Sequence, residues 1–419
     1  MRMLLTLALV AALAETGPAA PPEPSRPDFA ALGREIVSHV RDELFDPGKA
    51  ARWAEAHAGY ADGIRDAETF RRETRRRLAE LSVSHTDYYT PEDPGYYGLL
   101  AIFEPVLKKS PEVESLGLGL VEAEGGWFVA RVFPGGPAEA AGLRRGDLLV
   151  SADGAPFAPV RSLRGKAGRP VTLELRSRRD GPARTVSVTP RLANPKQEWL
   201  EAQKAGARIV EVRGTRVAYA PLWSCAGDDH RELLKEALQG DLAEAHALVL
   251  DLRGGWGGCN PDFVNLFNPQ VPQLTRIDRE GQRSAFPATW TKPLVVLIDS
   301  GSRSGKEAVS RALQRHKLAT LVGERTAGAV LAGKPILLSD GSLLYLAVSD
   351  VLVDGERLEG VGVTPEVPVA GELPFAEGRD GQLERGLAVA VGKALPSKPS
   401  PPQPSSPTTP PPSLGEEGA

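Results

Sequence analysis

Residues 300–305 read Ser-Gly-Ser-Arg-Ser-Gly and stand between an apolar run, Leu294–Asp299, and a stretch in which Glu307, Ala308, Val309, Ala312 and Leu313 fall on one helical face. That spacing predicts a strand, a tight junction and a helix. A serine hydroxyl at such a junction lies near a helix N-terminus, where backbone N–H groups and the macrodipole favour developing negative charge, which suits a nucleophile. The same residues also describe a serine-rich helix cap without chemistry. A phosphate loop is not a fit, because its spacing needs Gly where Ser300 stands and Ser or Thr where Glu307 stands. Upstream, the run Val-Leu-Asp-Leu-Arg leads into Gly254, Gly255, Trp256, Gly257 and Gly258. Glycines at a strand end let the backbone turn its N–H groups toward a ligand, as an oxyanion hole requires, although a tight turn has the same composition.

Four segments in order, VLDLRGGWGG, PLVVLIDSGSRSGKEAVSRALQRHKLATLVGERTAGA, LLSDGSLLYL and LEGVGVTPEVPV, together resemble the tail-specific (C-terminal processing) serine proteases over about Asp28–Val369. The resemblance implies that the nucleophile is Ser304, three residues before Glu307, and that the oxyanion donors are the backbone of Gly305 and of Gly257. One departure matters. The commonest branch of that family has a Lys base at the position held here by Ala329, and neither Lys334 nor Lys306 matches its register. A second branch, resembling the tricorn core protease and the repeats of interphotoreceptor retinoid-binding protein, carries a Ser-His-Thr motif, which this chain has at Ser84, His85 and Thr86. That resemblance implies His85 as the base, Ser84 as a residue helping to hold the arrangement, and Glu359 as the carboxylate that orients the imidazole. The chemistry is coherent on its own terms, since serine needs a neighbouring base and a carboxylate fixes the histidine tautomer.

Of the six histidines, His39 and His57 lie in helical patterns, His246 precedes a strand and His316 ends a helix. His230, after the strand Val217–Leu222, is the rival base, because that strand end faces the same side of a parallel sheet; Asp228 or Asp229 beside it reads as a plain helix cap.

Between the two halves of this constellation, Ser115–Leu120 and Gly135–Gly154 resemble a PDZ domain covering residues 113–191. The resemblance implies that Leu116, Gly117, Leu118 and Gly119 present amides to a peptide carboxylate beside an open strand edge. A spacer of the same shape that binds nothing is the alternative.

These groups need a scaffold, and the chain supplies one. The expected fold class is α/β, multi-domain α+β overall: an N-terminal helical domain (28–112), a PDZ-like β-rich domain (113–191) and a crotonase-like core with mostly parallel strands and a C-terminal helix (192–395). The stretch 82–97, rich in Pro and Asp, reads as loop. Residues 1–14 have the charged start, short apolar core and small residues of a cleavable signal, too short to span a bilayer. Residues 15–27 form a Pro-rich leader and 396–419 a Pro/Ser-rich tail, both expected to be disordered. The chain has 419 residues and a formal net charge of −4, which gives no electrostatic reason to expect nucleic acid or an anionic membrane. Cys225 and Cys259 are the two cysteines, and spacing leaves their pairing open. The function expected is therefore an exported, periplasmic or extracellular, serine endopeptidase acting on proteins or peptides captured at exposed C-termini or unfolded segments, without a metal or organic cofactor. The alternative is an inactive homologue that binds peptides or apolar ligands.

Overall fold

The computed structural model describes residues 28–271, 274–286 and 290–394; the expected signal, leader and tail lie outside them. The centre is a six-stranded sheet in which Thr215–Pro221, Ala247–Asp251, Leu294–Ile298, Thr320–Gly323 and Val367–Pro368 run parallel in that spatial order, with Arg208–Val212 antiparallel at one edge. Ala247–Asp251 and Leu294–Ile298 are buried at every position. Continuous apolar runs of this kind belong to strands covered on both faces. One face packs on the helices Asp229–Gln239 and Gly305–Arg315 through Leu234, Leu238, Val309 and Leu313. The other is covered by the helix Gly381–Ala394 through Ala390 and Val391. Each such aliphatic side chain contributes about 2 kcal/mol by leaving water.

In-register pairing brings Pro221, Asp251, Leu297 and Val322 to one edge of this sheet. Four loops therefore leave the same side: Leu222–Asp228, Leu252–Asn260, Asp299–Ser304 and Glu324–Leu331. Ligand chemistry in open α/β sheets collects on this side.

The N-terminal helices Phe29–Glu43, Pro47–Ala56 and Ala67–Ala79 are capped by Asp28, Asp46 and Asp66, whose carboxylates accept amides of the first turn. Their core is not self-sufficient. Ile36, Val40, Phe70, Leu78 and Leu81 pack with Leu331, Leu344 and Leu346 from the hairpin Ala332–Leu337 and Leu343–Ser349, which turns at Asp340-Gly341. The stretch expected as loop at 82–97 is more ordered than that. Asp87–Tyr89 forms a strand against Leu343–Tyr345, and a helix begins at Pro94. That strand of three residues owes its structure to a partner about 256 positions away, which local propensity does not encode.

Residues 118–188 build a five-stranded antiparallel path, Leu118–Ala123, Gly126–Val132, Leu148–Ala152, Val171–Arg176 and Arg184–Val188, around Val129, Leu149, Val171, Leu173 and Leu175. Leu118–Ala123 is the edge strand. Among the described residues no helix is long and apolar enough to cross a membrane.

Candidate active site

Ser304 is the cap residue of the helix Gly305–Arg315, and its backbone is held at φ 58°, ψ −131°. A non-glycine residue reaches that region only when its surroundings impose it. Here they do. The Ser304 amide lies 2.7 Å from the Ala329 carbonyl and also donates to Glu307 Oε2 at 3.2 Å. Glu307, fully buried in the first turn of the helix, accepts from Thr326 Oγ1 and from the amides of Gly328 and Ala329. The segment Thr326–Ala329 thus serves as a backbone clamp on the serine.

The glycine loop closes over the serine from the other side. A Cβ on Gly257 would stand 2.6 Å from Ser304 Cβ and 3.1 Å from the Gly305 amide nitrogen, and one on Gly305 would stand 2.4 Å from the Cys259 nitrogen. Real side chains do not tolerate such approaches, so glycine at 257 and 305 is a steric requirement. Asp299 ties the two loops together, accepting from the amides of Gly254 (2.8 Å) and Gly301 (3.0 Å). Beneath them Arg253 grips Asp251 with two guanidinium nitrogens, at 2.8 and 2.6 Å, and reaches Asp380 at 2.7 Å. Burial would raise the Asp251 carboxyl, but Arg253 and Arg131 hold it far below the usual carboxylate range. Neither Asp251, Arg253 nor Asp299 stands out in sequence as more than part of a motif; their clue is that each charge sits at the end of an otherwise apolar strand.

Ser84, His85 and Glu359 form a hydrogen-bonded line. Ser84 Oγ is 2.9 Å from His85 Nδ1 and 2.9 Å from Glu359 Oε2, and the Ser84 amide donates to Glu359 Oε1 at 2.9 Å. The carboxylate acts on the imidazole through the Ser84 hydroxyl. Glu359 Oε2 also accepts from the Val330 amide at 2.8 Å, one residue after the carbonyl that holds Ser304. Burial would raise the Glu359 carboxyl, but the amides of Val330 and Ser84 and the Ser84 hydroxyl outweigh it and leave the group below its ordinary value. His85 itself has φ 54° and a ring centroid 5.6 Å from that of Tyr345. Its imidazole is pushed down to about 4, by burial first and by Arg303 in addition, with Glu359 opposing. It is therefore neutral, and able to take a proton, at neutral pH. Among the described residues the imidazole makes its hydrogen bond to Ser84, and no direct hydrogen bond joins it to Ser304. Contacts of this kind commonly tighten only when a substrate enters.

His230, the rival base, is buried elsewhere: its Nδ1 is 2.7 Å from Gln203 Oε1. It packs under the helix it starts. Asp228 holds the N-cap position of that helix, although its side chain makes no cap bond, and Asp229 pairs with Lys196 at 2.5 Å. Lys306 is fully buried, its Nζ 2.7 Å from the carbonyls of Leu222 and Gly254. Lys334 reaches Glu43 in the hairpin region. Cys225 and Cys259, left open by sequence, are joined in a disulfide.

A cavity of about 670 Å³ runs from the PDZ edge strand to the glycine loop, lined by Leu116, Leu118, Trp127, Trp199, Trp256 and Arg303 among others. A second, more open hollow is bounded by Ser84, Ala327, Ala329 and Glu359. At the near end of the cavity the expected carboxylate loop is only partly as anticipated. The Gly117 amide already donates to Ser115 Oγ at 2.9 Å, and Ser115 in turn donates to Glu198. Leu118 and Gly119 lie at the start of the edge strand, paired on one side with Val132 and Arg131.

The molecule is an α/β core with a strained helix-capping serine under a glycine loop, preceded by a PDZ-like β domain. Residues 216–369 match the family model of peptidase family S41 and residues 128–177 that of a PDZ domain. The chain carries a peptidase family S41 domain with a PDZ domain ahead of it. Among curated relatives, a Streptomyces coelicolor protein named as a tricorn protease homolog is 28% identical over 392 residues, covering 84% of this chain and 31% of its own length. The carboxyl-terminal-processing protease of a Picosynechococcus species is 29% identical over 229 residues, covering 52% of this chain and 54% of that protein. The chain thus spans less than two thirds of either relative. The crystal structure of the tricorn protease shares the fold at a TM-score of 0.52, with 18% identity over 88% of this chain and 37% of that one.

Proposed function

We propose that the chain is an exported serine endopeptidase that cleaves proteins or peptides captured at an exposed C-terminus or unfolded segment. The observation that carries this reading is the placement of Ser304 between Gly257 and Gly305 on one side and, through Ala329 and Val330, the Glu359–Ser84–His85 line on the other. In the proposed reaction the Ser304 oxygen adds to the scissile carbonyl while His85 takes its proton. Amides of Gly305 and the glycine loop stabilise the oxyanion. The proton then passes from His85 to the leaving amine, and water, activated by the same imidazole, releases the acyl group. The cavity from Leu118 to Arg303 gives an extended peptide a route from an added strand on the PDZ edge to the glycine loop and to Arg303, the residue before the serine. Its aromatic lining fits apolar segments of the kind that unfolded chains expose.

A fluorophosphonate probe tests the reading. Wild-type protein is expected to label and to cleave an unfolded, tail-bearing substrate, and Ser304→Ala to do neither. Labelling that persists unchanged in Ser304→Ala removes the nucleophile; peptide binding without turnover in the wild type would instead make the chain a binding protein.

A further inference from the structure

The glycine loop is fastened at both ends to the segment Leu222–Ala226. At its start, Lys306 Nζ bridges the carbonyls of Leu222 and Gly254, each at 2.7 Å. In the middle, the Trp256 amide donates to the Trp223 carbonyl (3.0 Å) and the Cys225 amide to the Gly257 carbonyl (3.3 Å). At its end, Cys259 is bonded covalently to Cys225, with the two Cα atoms 4.6 Å apart. Between these fastenings Gly254, Gly255 and Gly258 all have positive φ, so the intervening backbone has wide conformational freedom of its own. Cys259 is also the residue whose backbone nitrogen packs on Gly305, while Gly257 packs on Ser304. The disulfide therefore ends on the residue that sets how closely the glycine loop approaches the helix N-terminus.

We propose that the Cys225–Cys259 disulfide is a positioning element of the oxyanion pocket, and that its reduction reversibly lowers turnover while the fold persists. The proposal rests on the peptidase reading above. Cys225 lies in the core beside Leu222 and Leu252, whereas Cys259 is half-buried at the rim of that cluster. Reduction by a dithiol adds two electrons and two protons across the sulfur–sulfur bond, leaving two thiols and the oxidised, cyclic form of the reagent. The strands on either side remain held by in-register pairing and full burial. Only the end of the loop next to Gly305 loses its covalent tether, and oxyanion donors act by being fixed before the charge develops.

The test compares oxidised protein, dithiothreitol-reduced protein and the Cys225→Ser/Cys259→Ser variant under reduction and reoxidation. Loss of oxyanion donors costs about 100-fold or more in kcat, so partial loosening is expected to lower kcat about ten-fold with KM changed less than about two-fold. Reoxidation by oxidised glutathione restores the wild type but not the variant. Amide exchange gives a readout free of activity: protection at Trp256 and Cys225, whose amides donate to the Trp223 and Gly257 carbonyls, is expected to fall on reduction while that of Leu248–Leu250 is kept. Unchanged kcat in the reduced wild type and the variant overturns the proposal. If the oxidised protein neither labels nor cleaves, the peptidase reading has failed, and the exchange data decide the positioning claim alone: unchanged protection sinks it.

Discussion

The Ser84 hydroxyl lies 2.9 Å from a carboxylate oxygen of Glu359, a residue 275 positions further along the chain. Since the same hydroxyl is 2.9 Å from His85 Nδ1, the three groups act in series. A carboxylate that fixes a histidine tautomer usually touches the ring; here a serine transmits the effect.

Groups in series are not additive when removed. Ser84→Ala and Glu359→Gln are each expected to lower kcat/KM about 10- to 100-fold, and the double variant to fall no more than about two-fold below the worse single one. A double variant carrying the product of both losses, measured in a mutant cycle on one peptide substrate, would show that the two act independently.

The pH profile follows from His85. Its imidazole sits at about 4 rather than 6.5, so the base stays neutral well below the ordinary histidine range. The kcat/KM profile is expected to stay level from pH 8 down to about 6 and to reach half its maximum only near pH 4 to 5. An acid limb centred at 6.5 contradicts the assignment. The sign for stability is the same: between about 4 and 6.5 the unfolded chain binds the proton that the folded chain refuses. This contribution is complete above 6.5 and is lost as pH falls. His230, also held near 4 by burial, adds to it, and urea titrations at stepped pH measure the sum.

Gly257→Ala places a methyl group 2.6 Å from Ser304 Cβ and 2.9 Å from the Arg303 carbonyl. The loop must back away from the serine. Turnover is expected to drop about 100-fold or more while the circular dichroism spectrum is unchanged. Activity within a factor of about three of wild type would mean that this glycine is not part of the oxyanion pocket.

Lys306→Met removes the donor from two buried carbonyls, Leu222 O and Gly254 O. Orphaned acceptors of this kind cost about 1–3 kcal/mol each, so unfolding in urea is expected to show a loss of about 2–6 kcal/mol. The Lys306 amine is pushed down to about 7, by burial above all. The unfolded chain therefore binds its proton more readily between 7 and 10.5, and the wild type is expected to gain stability as pH rises through that window. The methionine variant should lack that rise.

The parts of the site readable in sequence were those written in contiguous chain: the serine junction before Glu307, the glycines after Arg253 and the Ser84-His85-Thr86 motif. Three of the six strands of the central sheet are legible as well, Thr215–Pro221, Ala247–Asp251 and Leu294–Ile298, because doubly covered parallel strands are apolar throughout. What sequence could not supply were relationships across the fold. The hydrogen bond from Ser84 to Glu359, the pairing of Cys225 with Cys259 and the role of Asp299 in joining two loops depend on where four strand ends meet. Asp87–Tyr89 reads as loop because of the Pro and Asp around it, and its strand exists only in the company of Leu343–Tyr345. Gly117 was read as an open amide donor, and the Ser115 hydroxyl that engages it is invisible to a motif.

Ser304 and His85 both hold backbone angles in the left-handed half of conformational space, at φ 58° and φ 54°. Glycine would occupy either position with less penalty, by about 1 kcal/mol or more. Ser304→Gly and His85→Gly are thus candidates for variants that melt later than the parent and do nothing. Directed evolution for heat resistance alone would be drawn toward inert descendants of this molecule, and a useful thermostable form has to be selected for turnover at the same time.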